Sequence, residues 1–373
     1  MTSFWRMKIM NNLNLFLLII AFIPTAIILA FIPYLTRKTE NFGVSIPETI
    51  YYRDDFKAMR KKYAFSMLII TIVLTTVFFI VAFQGQESTI FIMYTALIIG
   101  YIIASFALYL PFHYKMKAIK KKEKWQAERK QTIVIDTKFR NEKIVASNWW
   151  FLIPGLITVA TIIFTFVIYE KIPDQVPIHT SFSGKVTYSD KSPGNVLILP
   201  FSQIFTLVVC LISNYAIKNS KQQVSAQSPE TSKQQNIIFR KRWSIFIVVM
   251  SVLISLMFTF MQMTFIYQSL LKYEDIVLIS VILIILLGVI ILTISVGQGG
   301  SRVKVDNVME DGVIDRDNDR YWKLGQIYVN KNDPSLFVEK RFGVGWTINF
   351  GRPLAWGFLL GIIVLAFLPL FFI

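Results

Sequence analysis

The sequence predicts an all-α polytopic membrane protein of about eight transmembrane helices, with small β-hairpin-like elements in its cytoplasmic loops. Three observations carry this. Of 373 residues, 54% are hydrophobic, and the mean hydropathy is +0.53. The apolar residues fall into runs of about 20, the length that crosses the hydrocarbon core of a bilayer as helix. The runs are continuous, without the strict alternation of barrel strands. Only helices or closed barrels satisfy the backbone in lipid, so the runs are helices.

The runs cover roughly residues 14–35, 64–83, 88–111, 149–169, 195–216, 243–268, 274–296 and 353–373, and none has a charged residue in its middle. The first, with its apolar Leu13–Leu35, is too long for a signal segment and lacks a small-residue cleavage pattern. It is expected to stay as a helix. The single cysteine, Cys210, lies inside the fifth run and reads as apolar packing.

Charge sets the orientation. Of the 39 basic residues, 33 fall in the odd-numbered loops, against 17 acidic ones, for a net +16. The even loops and the termini hold 6 of each sign. The positive-inside rule puts the odd loops in the cytoplasm and both termini outside, as a multi-pass protein of the cell membrane. The basic face suits anionic lipid headgroups. It shows no nucleic-acid recognition motif, so no direct nucleic-acid partner is expected.

In chain order, residues 1–144 form three helices with basic cytoplasmic loops. "DDFKAMRKKY" leads amphipathically into the second helix, and "HYKMKAIKKKEKWQAERK" extends the third. Ile133 and Ile135 alternate with Val134 and Asp136, and Asn141-Glu142 supplies a turn, which suggests a small hairpin. Trp149 and Trp150 sit where an aromatic belt belongs. Residues 145–217 hold two helices around a polar outer loop, "KIPDQVPIHTSFSGKVTYSDKS". Residues 218–242, rich in Ser and Gln, are expected to be a flexible linker. A helical hairpin follows at 243–296, then a cytoplasmic aromatic- and Gly-rich domain at 297–352, then a last helix at 353–373. In that domain "IYV" and "LFV" are expected as short strands flanking the Asn332-Asp333-Pro334 turn. "FGV" occurs at Phe42–Val44 and again at Phe342–Val344, a short match.

Catalytic chemistry is sought and not found. His113 ends the third helix on the cytoplasmic side and His179 is outside, so they share no site. No zinc-protease or nucleophile-elbow motif occurs, nor any P-loop or dinucleotide fingerprint. "DRDND" at Asp315–Asp319 starts like a calcium loop, but Arg320 and Gln326 occupy the positions that need Gly and Glu, so it reads as a solvated acidic loop. The chain is expected not to be an enzyme and to need no cofactor or metal. Ion-coupled transport would place ionisable groups at mid-membrane. The helices offer Gln203, Asn214, Gln262 and Gln268 instead, which read as interhelical glue.

The outer loop carries Ile172-Pro173, Pro177, His179, Gly184 and Lys191. Prolines restrict their predecessors and Gly184 permits a positive φ, so a shaped loop is expected. Its plainer alternative role is to cap the fourth and fifth helices. This spacing between two transmembrane helices resembles the signature of a bacterial membrane family of unknown function, which includes the immunity protein against the sporulation-delaying-protein (Sdp) toxin. Ile172 replaces the usual Leu, and Thr180 stands where an aromatic often follows His. The resemblance covers roughly residues 145–215, and the seventh loop resembles a second uncharacterised domain that accompanies the first.

The resemblance implies signature residues Pro173, Pro177, His179, Gly184 and Lys191. It also implies protection against a membrane-active peptide outside and sequestration of a transcriptional repressor inside. Trp322, Tyr328, Asp333, Pro334, Phe342, Gly343 and Trp346 are the expected docking surface for that repressor or another cytoplasmic protein. A small-molecule or lipid permease is the alternative function.

Overall fold

The structure is a computed structural model that describes residues 22–82, 87–125, 130–132, 142–180, 186–305, 313–315 and 319–367. It is an all-α polytopic membrane fold. Six helices among the described residues are long and apolar enough to cross a membrane, rather than eight. The first and last apolar runs contribute shorter described helices, α1 (Phe22–Leu35) and α8 (Pro353–Phe367).

Helix α2 (Asp54–Ala82) opens with Asp54 and Asp55 at its positive dipole end. Helix α3 (Glu87–Glu123) packs against it and closes with Lys120, Lys121 and Lys122 at its negative end. At about 1.5 Å per residue both exceed the bilayer's roughly 30 Å core. The predicted lead-in and extension are thus turns of the same helices. Between α1 and α2, strands β1 (Glu40–Asn41) and β2 (Val44–Ser45) form a tight hairpin. Its turn residues Phe42 and Gly43 both have positive φ, 47° and 75°, as a two-residue hairpin of this hand requires. Strand β3 (Lys130–Thr132) runs parallel to β6 (Val313–Asp315), joining the third loop to the seventh. The hairpin expected around Ile133–Glu142 lies almost wholly outside the described residues.

Helix α4 (Leu152–Val167) is followed by β4 (Gln175–Thr180) and β5 (Val186–Asp190). Helix α5 (Pro193–Asn219) starts with Ser192 as its cap and Pro193 in the first turn. Helix α6 (Pro229–Thr264) is the centre of this half, packed on α4, α5 and α7 (Glu274–Val296). Residues 218–242 are therefore not a flexible linker. From Pro229 onward they are helix, and Asn236, Phe239 and Arg240 are fully buried. Their polar composition hid the fact that their polar groups face inward.

Polar groups knit α4, α5 and α6 together. Thr158, Thr161 and Thr165 share one buried face of α4. Gln203 Nε2 donates to Ser255 O at 2.8 Å and Thr259 Oγ1 at 2.9 Å, and Thr161 bonds Thr259 at 2.8 Å. Gln262 Nε2 donates to Val196 O, and Asn214 to Asn148 Oδ1. These are the interhelical bonds expected of Gln203, Asn214 and Gln262. The outward faces are apolar: Phe65, Ile103, Leu156, Val167 and Ile291 are all more than 60% exposed, a surface suited to lipid. Trp149, Trp150 and Trp356 are exposed at the starts of α4 and α8, at the basic end of the bundle.

The seventh loop builds two further hairpins. Strands β7 (Trp322–Lys323) and β8 (Ile327–Tyr328) pair, as do β9 (Phe337–Glu339) and β10 (Trp346–Ile348). "IYV" and "LFV" do form strands, but Asn332-Asp333-Pro334 connects two hairpins instead of closing one.

Candidate functional site

Two regions are built from the signature residues, at opposite ends of α5. The first is the β4–β5 hairpin. Val176 is fully buried against Ile172, Val196 and Phe265, which seats the hairpin on the helix ends. The ladder shifts register between Pro177 and His179, since proline has no N–H to donate and is accommodated at a bulge. Pro177 is buried and faces Tyr188, and His179 faces Thr187 across the ladder. The backbone of His179 is described and its side chain is not; Gly184 lies outside the described residues.

Lys191 ties the hairpin down. Its ammonium donates to Ile172 O at 2.9 Å and sits 4.9 Å from the Tyr169 ring centroid. Its N–H donates to Asp174 O at 2.7 Å. A cation among the carbonyls that end the α4 segment is favourable. Asn195, in the first turn of α5, donates to Ser189 Oγ at 3.0 Å and Asp190 O at 2.9 Å. Pro173 is half-buried beside Ile172. Thr187 and Tyr188 are left exposed.

The second region lies at the basic end, where the first, fifth and seventh loops meet. Three carboxylates organise it, Glu339, Asp319 and Asp333, and of these only Asp333 is among the residues the sequence marks for docking. Glu339 and Arg240 are each fully buried and paired at 3.1 Å. Glu339 also pairs with Arg37 and accepts from Asn236 Nδ2 at 2.8 Å. Arg240 donates to the carbonyls of Ile217 at 2.9 Å, Ser220 at 3.2 Å and Lys221 at 3.1 Å, and to Asn236 Oδ1 at 2.7 Å. It thereby satisfies the orphan carbonyls at the end of α5, and the buried pair leaves no charge unanswered.

Asp319 accepts from Lys120 Nζ at 2.6 Å and Ser45 N at 3.2 Å, and pairs with Arg341. Burial alone would raise its pKa, but the charges and hydrogen bonds of Arg341 and Lys120 outweigh it and bring the group to about 2. The "DRDND" stretch is thus not simply a solvated loop, for its last carboxylate joins α3, the first loop and the seventh. Asp333 accepts from Lys221 Nζ at 2.5 Å and Tyr328 Oη at 2.7 Å. Its burial is likewise overcome by Lys221, and its pKa is lowered.

The expected docking residues mostly face inward. Trp322 and Tyr328 pack at 5.0 Å, Trp346 packs on Phe239 at 4.8 Å, and Phe342 enters the core of α1–α3. Gly343, at φ 97°, turns the chain after it. Asp333 is buried, whereas Pro334 is exposed. These aromatics dock the loop to its own helices, which is why a linker would not carry so many. His113 joins the same region: its Nδ1 lies 2.9 Å from Phe42 O, and a carbonyl only accepts, so Nδ1 carries the proton. Among the described residues no group of three or more His, Cys, Asp or Glu is placed to hold a metal.

Residues 156–204 match the model of a domain of unknown function (DUF1648), which spans α4, the hairpin and the start of α5. Residues 331–356 match that of a family of unknown function (DUF5808), which spans the Asp333 turn and the β9–β10 hairpin. No curated protein and no solved structure matches the chain. The first match contains the β4–β5 hairpin and the second contributes Asp333 and Glu339 to the other region, whose partners Arg37, Lys120, Arg240 and Asp319 lie outside it.

Proposed function

We propose that the chain is a multi-pass protein of the cell membrane that senses, or gives immunity to, a membrane-active antimicrobial peptide, without enzymatic activity. The β4–β5 hairpin and both termini then face outside. The concentration of 33 basic residues in the odd loops supports this.

The observation that carries the reading is the reach of α5. Its first turn is bonded to the hairpin through Asn195, and its last carbonyls are held by Arg240. Lys221, just beyond it, donates its N–H to Phe337 O of β9 at 2.8 Å. A contact at the hairpin and a rearrangement of the seventh loop therefore act on one rigid element, which is what a switch needs. The outer partner is a toxin peptide meeting exposed Thr187 and Tyr188. The inner partner is a transcriptional repressor or another cytoplasmic protein. It meets the outer surface of the seventh loop, around exposed Lys323, Ile327 and Lys331, and not the buried aromatics. The alternative, a small-molecule or lipid permease, is less well supported, because the amides and hydroxyls of α4–α6 bond one another across the helices.

The test is survival of a gene-deletion strain, complemented with variants and challenged with a panel of membrane-active peptides. His179→Ala and Tyr188→Ala keep membrane abundance and lose tolerance. Lys191→Ala, which removes the tie to α4, lowers abundance. Full tolerance with both His179→Ala and Tyr188→Ala, or no peptide whose killing depends on the gene, sinks the reading.

A further inference from the structure

At the basic end, away from the hairpin, the three loops enclose a cavity of about 740 Å³, within the size range of small-molecule sites. Its walls come from Arg37–Glu40, the 221–235 stretch that leads into α6, the 298–305 stretch that follows α7, and the seventh loop. They are polar. Six basic residues line it against three acidic ones, Glu40, Glu48 and Asp333. Each of these carboxylates has a basic partner: Arg341, Lys38 and Lys221 respectively. Arg37 is held by Glu339.

That leaves Arg302 and Lys304. Both line the cavity, both are exposed, and neither has an ion pair among the described residues. A second observation points the same way. Gln222, also on the wall, has its amide nitrogen buried without an acceptor among the described residues. A buried donor left unpaired is costly, so an acceptor oxygen beside it is favourable.

Surplus positive charge and an unanswered amide donor share one complement: an anion with several strong acceptor oxygens. We propose that this cavity is a binding site for a small phosphate-bearing organic anion, held by Arg302, Lys304 and the Gln222 amide. The shared chemistry is a phosphate ester, and it has two sources, a soluble phosphorylated metabolite or the headgroup of an anionic lipid.

The experiment uses the full chain. In a neutral, phosphate-free detergent, the thermal midpoint and calorimetric binding are measured with inorganic phosphate and with AMP and ADP. In nanodiscs of phosphatidylcholine, the midpoint is measured with and without added phosphatidylglycerol. Arg302→Ala/Lys304→Ala is compared with wild type and with Lys62→Ala/Lys115→Ala, whose lysines do not line the cavity. At least one probe raises the wild-type midpoint, and the Arg302→Ala/Lys304→Ala variant loses about tenfold or more in affinity for it. The control variant binds as wild type does, and the unliganded midpoints are equal. A response to AMP or ADP assigns a soluble ligand; a response to phosphatidylglycerol alone assigns a headgroup. No response to any probe at millimolar concentration overturns the proposal, as does equal binding by the Arg302→Ala/Lys304→Ala variant.

Discussion

Phe42 and Phe342 stack on each other, with ring centroids 5.9 Å apart and planes 25° from parallel. Each precedes a glycine of positive φ, Gly43 at 75° and Gly343 at 97°. Tyr63 meets both rings edge-on, at 5.6 and 5.9 Å. The short "FGV" match thus marks two turns that close on the same aromatic core, one before α2 and one near the end of the chain.

Gly43 is a tight point of that core. A Cβ there would lie 2.5 Å from Tyr109 Oη and 2.6 Å from the Gly325 carbonyl oxygen, and φ is 75°. Gly43→Ala is expected to cost at least roughly 1–3 kcal/mol in backbone strain alone. The thermal midpoint of the purified protein should fall by several degrees, and limited proteolysis should cut the seventh loop. An unchanged midpoint would show that Gly43 does not approach Tyr109 and Gly325 this closely.

The Arg240–Glu339 pair offers a second measurement. Removing one partner strands a fully buried charge, at about 3–5 kcal/mol. Arg240→Met and Glu339→Leu should each destabilise the protein strongly, while the double variant recovers a large part of the loss. Strict additivity in this cycle would contradict a direct pair.

Acid should loosen the seventh loop. The folded pKa of Asp319 is about 2, below its ordinary 3.8. A depressed carboxylate stabilises the fold above its unfolded pKa, and that contribution is lost as pH falls through the folded value. The window is therefore about pH 4 down to about pH 2, and the amount is on the order of 2 kcal/mol. Asp319→Asn should be less stable than wild type at neutral pH and should show a flatter fall in midpoint across the window. Parallel curves for the two proteins would remove Asp319 from the account.

The orientation is open to labelling. On a Cys210→Ala background, Ser183→Cys should react with a membrane-impermeant maleimide in intact cells. Asn332→Cys should react only after permeabilisation. The reverse pattern would invert the proposed topology and place the hairpin inside.

The spans were legible because lipid permits no other solution for a long apolar run. Gln203, Asn214 and Gln262 were legible as glue for the same reason, since an amide inside a bundle must find a partner, whereas Gln268 lies exposed in the turn between α6 and α7. The start of α6 was not. A Ser- and Gln-rich stretch reads as linker from its composition, and what makes it helix is long-range: Arg240 bonds Glu339, 99 positions later in the chain. The aromatics of the seventh loop correctly announced order, but not which way they faced, because their partners Phe239 and Tyr109 sit on distant helices. Lys191 was visible as a signature cation, and only the hairpin's register shows that its ammonium is spent on Ile172 O.

The Phe42–Phe342 contact also sets an order of events during synthesis. The first three helices leave the ribosome with Tyr63 and Phe112 to pack on Phe42, but without Phe342. That partner is 300 positions away, about 15–60 s later at typical rates of roughly 5–20 residues per second. Through that interval the early bundle sits in the bilayer with an open aromatic seat at its basic edge, and the late-arriving loop is what latches the two halves into one molecule.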